Sequence, residues 1–136
     1  MSQSPLLPVK IFVLGNGSLL DEGICSMLTL HSQLNITRIA YTDDDTLSGL
    51  KHLEYPCTVF INEFDLLNVT RAIKVAFSAP PTFFRRVIVA HIENSMVDVY
   101  YRSTTHVPAM AYQRVSVMVN SKEELIDLVL NEFCFA

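Results

Sequence analysis

The chain has no tryptophan, only three cysteines, only four glycines, and no apolar run longer than a few residues. A membrane-spanning helix needs roughly 20 consecutive apolar residues, so none is expected. The first ten residues, MSQSPLLPVK, have neither a basic start nor a long apolar block, so no secretory signal is expected in them. Cys25, Cys57 and Cys134 are odd in number and widely spaced. Structural zinc sites pair their ligands a few residues apart, and neither the cysteines nor His31, His52, His91 and His106 do so. Buried thiols in a reducing cytoplasm are the expectation. Positive charge is scarce too: 10 Lys and Arg stand against 14 Asp and Glu, for a net charge of −4. Arg85-Arg86 is the only adjacent basic pair. A domain that binds nucleic acid by itself shows a basic face, so these residues are not expected to touch DNA.

Apolar content is ample. Hydrophobic residues make up 50% of 136 positions and charged residues 18%. That suits one globular domain, residues 1–136 with a core from 9 to 133, and excludes a disordered chain. VKIFVL (9–14) is a short continuous apolar run and reads as a buried strand. A helix follows from Gly17 or Ser18, with Leu20, Ile24, Met27 and Leu28 at helical spacing. ITRIAYT (36–42) reads as a second strand, and Asp43-Asp44-Asp45 as the cap of a second helix. CTVFIN (57–62), residues 66–77 and RRVIVAHI (85–92) read as strand, helix and strand. VSVMV (115–119) is a last strand, and Ser121 with Glu124 forms a capping box that opens a last helix.

Strands alternating with amphipathic helices predict an α/β fold with a parallel sheet. Residues 93–114 carry conflicting signals. MVDVYYR is β-branched and aromatic, as strands are. The alternating architecture nevertheless requires a helix there, and a helix is the expectation, followed by an irregular loop around Pro108.

VKIFVLGNGSLLDEGICSML, YPCTVFIN and VIVAHI resemble, in register and spacing, the receiver domains of LuxR/FixJ-type transcriptional regulators. CTVFINEFDLL, VIVAHIENSMVD and VNSKEELIDLVLNEF are similar to their RcsA-type auxiliary members, whose receiver-like domain is degenerate. The resemblance implies a flavodoxin-like, doubly wound, five-stranded parallel sheet. It also implies that the essential positions are lost. The magnesium-binding acidic pair falls on Gly15 and Asn16, the phosphate acceptor on Asn62, and the hydroxyl position on His91, or Ala90 in the neighbouring register. No lysine stands at 118–120. Magnesium requires hard, charged oxygens, and asparagine has no anionic oxygen to attack phosphorus. The expectation is a non-enzymatic pseudo-receiver without metal or cofactor. It would pair as a homodimer or with a receiver-containing regulator, and reach promoters only through a separate helix-turn-helix.

Tyr100, Tyr101, Leu125 and Leu128 are the expected interface residues, because tyrosine is enriched at interfaces and the last helix has an unusually wide apolar arc. The alternative is a sensor of nucleotide-type small molecules, with the ligand at the sheet's carboxyl edge near Asn16, Asn62 and His91. Gly15-Asn16-Gly17 lacks the third glycine of a dinucleotide fingerprint, since Leu20 occupies its place.

Overall fold

The computed structural model describes residues 9–15, 19–31, 33–40, 44–52, 57–62, 66–78, 85–91, 95–101 and 113–130. Strands β1 (Val9–Gly15), β2 (Leu34–Ala40), β3 (Cys57–Asn62) and β4 (Arg85–His91) alternate with helices α1 (Leu19–Thr29), α2 (Asp44–Gly49) and α3 (Leu66–Ala76). A 3-10 turn, Leu50–His52, extends α2. Then come β5 (Met96–Tyr101), β6 (Gln113–Met118) and α4 (Lys122–Leu130).

The sheet has six strands in the order β2-β1-β3-β4-β5-β6. The first four in space are parallel. The last two are not: β5 runs antiparallel to β4, and β6 antiparallel to β5. The flavodoxin-like five-stranded parallel sheet is therefore wrong, and with it the structural basis for a receiver. The mistaken element is the helix expected within 93–114. Val97 and Val99 are buried on one side of β5, while Met96, Asp98 and Tyr100 stand on the other. That period of two belongs to a strand. The strand at 113–118 consequently pairs with β5 and not with β4. Ser95, just before β5, takes a left-handed backbone (φ 56°), which costs a non-glycine residue about 1 kcal/mol. Its carbonyl accepts the Val119 N–H at 2.8 Å, tying the start of β5 to the end of β6.

Two apolar clusters sandwich the sheet, because β1, β3 and β4 bury both faces. On one side Phe12, Leu14, Val59, Ile61, Val87 and Val89 meet Val69, Ala72, Ile73 and Ala76 of α3. On the other Ile11, Val13, Phe60, Ile88, Val97 and Val99 meet Ile24 and Leu28 of α1 and Ile126, Leu128 and Val129 of α4. Leu128 is thus a core residue, and Leu125 packs half-buried against the same cluster. The capping box at α4 is present. Ser121 Oγ accepts the Glu124 N–H at 3.1 Å, and Glu124 reaches back to the Asn120 N–H at 2.9 Å. Such a cap is worth about 1 kcal/mol.

The two sides differ beyond β4. On the α4 side, apolar packing continues across β5 to Val119. On the α2–α3 side, among the described residues, it stops at Tyr100. Past Tyr100, that face carries Met96, Asp98, Arg114, Ser116 and Met118, all half-buried or exposed.

Candidate functional site

Two features stand where the parallel half of the sheet meets the antiparallel half. The first is a polar row across β4, β5 and β6. His91 Nε2 lies 2.8 Å from Asp98 Oδ2, and Ser116 Oγ donates to Asp98 Oδ1 at 2.6 Å. The register builds this row. Asp98 pairs directly with Ser116, and His91 sits one pleat along β4 from Asp98's partner Val89. Same-face residues on neighbouring strands lie close enough to bond. Burial works against the Asp98 charge. The hydrogen bonds from Ser116 and His91, with the positive charges of His91 and Arg114, outweigh it and hold the carboxyl below its ordinary value.

That shift fixes a pH dependence. A carboxylate whose native pKa lies below its unfolded pKa stabilises the fold above the unfolded value. The contribution is lost as pH falls through the native value. Wild-type protein should therefore lose urea resistance between the ordinary carboxylate range and stronger acid. In Asp98→Asn the difference between urea midpoints at neutral pH and at about pH 3 should be smaller. Equal differences in the two proteins would show that the row contributes nothing to acid sensitivity.

The row is not a catalytic triad, because the carboxylate stands between histidine and serine. The histidine therefore cannot take the serine's proton. Among the described residues no group of three or more His, Cys, Asp and Glu is placed to hold a metal.

The second feature is a cleft of about 340 Å³ at the carboxyl end of β4, between α1, the start of β5 and the beginning of α4. Its wall is largely apolar, with Ile24, Met27, Val97, Val119 and Leu125 among its members, and His91, Ser95, Asn120, Ser121 and Lys122 are its polar members. Of the residues expected to hold a nucleotide-type ligand, His91 borders this cleft, and the chemistry at its α4 end opposes an anion. A phosphate at a helix N-terminus needs open N–H groups. Here Ser121 and Glu124 already engage donors at the α4 terminus, and Glu123 and Glu124 in its first turn repel an anion. The cleft therefore gives no support to a nucleotide sensor.

The expected site residues are distributed as follows. Gly15, Asn62 and His91 end β1, β3 and β4. Gly15 is not in the cleft wall, and His91 turns to Asp98 on β5. Asn16 and the side chain of Asn62 lie outside the described residues. Tyr100 packs against the α3-side cluster, and Tyr101 donates to Gln113 Oε1 at 2.9 Å across the β5–β6 pair.

Sequence reasoning missed Arg86. It is 1% exposed, pairs in register with Thr58, and donates from Nε to Thr58 Oγ1 at 3.2 Å. Its guanidinium donates to the carbonyls of Leu128 (3.0 Å) and Val129 (2.6 Å) at the end of α4. That helix has no basic residue in its last turn. Arg86 supplies from the sheet the positive charge that a helix C-terminus favours. The missing lysine or arginine in 127–130 was the one available signal.

No helix among the described residues is long and apolar enough to cross a membrane. The LuxR/FixJ receiver assignment, with its RcsA-type variant and its attached DNA-binding domain, falls with the five-stranded parallel sheet on which it depended. Comparison with protein-family models, with curated proteins and with solved structures finds no match to this chain.

Proposed function

We propose that this chain is a protein-pairing module without chemistry of its own, which engages another polypeptide through the β5–β6 half of its sheet. The observation that carries the reading is the state of β6. All its ladder bonds run to β5, and its outer row of N–H and C=O groups has no backbone partner among the described residues. An open row of this kind is a template for a further strand. Among the described residues the adjoining face, past Tyr100, has no apolar cluster over it, and Met118 at its end is 60% exposed. Cys25 and Cys57 are buried on opposite faces of the sheet. That placement suits a reducing, cytoplasmic setting, where thiols serve as small core residues.

A photo-cross-linking residue at position 118 tests the reading in cells producing the full chain. Leu30, after α1, is the matched control, because it is the other exposed large apolar side chain among the described residues, at 84%. A discrete protein adduct at 118, and none at 30, is expected. No adduct at 118, or equal adducts at both positions, would overturn the assignment.

A further inference from the structure

Resting on that reading, we infer that the strand added at β6 belongs to a second copy of this chain, joined antiparallel about a two-fold axis at Val115. The charge pattern selects this occupant. Strand β6, QRVSVM, has a single charged residue, Arg114, and no acid. On the same face, Asp98 of β5 stands directly across from Ser116. A two-fold at Val115 places Arg114 of each copy opposite Ser116 of the other. Asp98, Ser116 and Arg114 of the second copy then stand in one row. Two strand spacings, about 10 Å, separate the outer two, within the combined reach of extended arginine and aspartate side chains. Symmetry forms this contact twice. No like charges oppose each other, and the Val115 side chains of the two copies meet on the α4 side.

The other edge of the sheet does not offer this. There Lys10 of β1 donates to Asn35 Oδ1 on β2 at 2.9 Å and also bonds Thr37. Arg38 is ion-paired to Glu22 of α1. Long cationic side chains along an edge are a common guard against strand addition. Within 113–118 there is no lysine, no proline and no glycine.

The interface is small. One six-residue strand pair falls below the roughly 1,200 Å² of standard interfaces. The dimer is therefore weak and reversible, with a dissociation constant on the order of 10–100 µM.

Sedimentation equilibrium of the full chain, from about 5 µM to about 500 µM, tests it. A monomer–dimer equilibrium is expected. Ser116→Lys puts a cation opposite Arg114 of the second copy, while its own Asp98 compensates it within the monomer. It should weaken the dimer about tenfold or more without moving the urea midpoint appreciably. The double variant Arg114→Glu with Ser116→Lys restores opposite charges across the axis. It should return the constant to within about threefold of wild type. A monomer at every concentration, a dimer indifferent to Ser116→Lys, or a failed rescue would each overturn the inference. Cross-linking at 118 to a different protein, with a monomeric chain, would overturn self-pairing and leave the pairing role standing. No adduct at 118 at all would remove both.

Discussion

Replacing Arg86 with methionine should cost about 3 kcal/mol or more of folding stability. Methionine keeps much of the side-chain volume, so the loss is polar rather than steric. Thr58 and the Leu128 and Val129 carbonyls each lose a donor from a residue that is 1% exposed. A buried acceptor left without a partner costs about 1–3 kcal/mol. The last turn of α4 also loses the positive charge that faces its negative end. Urea denaturation should show a lower midpoint, and the melting temperature should fall by roughly 10 °C. Arg86→Lys should recover only part of this, because an ammonium lacks the planar fork that spans several acceptors at once. A loss under about 1 kcal/mol for Arg86→Met would mean that water takes over the carbonyls, so that α4 is not sealed onto the sheet by this residue.

Arg86 also marks where the sequence stops being legible. The apolar runs 9–14 and 57–62 and the capping box at Ser121 are local patterns, and each stands where the sequence placed it. Local pattern cannot say that Arg86 points inward. Its bonds span 42 and 43 residues, to a helix end whose position depends on the whole sheet. The same holds for the polar row. His91 and Asp98 are only seven residues apart, but they meet because β5 folds back along β4. Ser116 joins them from 18 residues beyond Asp98. The wide apolar arc of α4 was legible, but its meaning was not. Leu128 is buried in the cluster that α1 and α4 share with the sheet, a placement that only the assembled fold reveals. The β5 error has a different cause. The alternation in MVDVYY was readable, and a resemblance that required a helix overrode it.

Val97→Asp and Val99→Asp should each abolish folding at room temperature, or cost upwards of about 4 kcal/mol. Both side chains are buried in the cluster under α4, at 4% and 0% exposure. The Arg86 guanidinium, on the same side of the sheet, is already engaged by Thr58 and the α4 carbonyls. A carboxylate there must enter the core without a solvent shell. Met96→Lys, on the opposite face beside Asp98, should change stability by no more than about 1 kcal/mol. The three variants form one argument. On a helix, positions 97 and 99 point about 200° apart, so at least one of the two aspartates would reach water and be tolerated. On a strand they share a face and fail together, while position 96 is spared. Urea midpoints and amide dispersion by NMR distinguish the two cases. If one aspartate is tolerated and the other is not, β5 is not the strand that carries β6, and the open edge proposed for pairing loses its support.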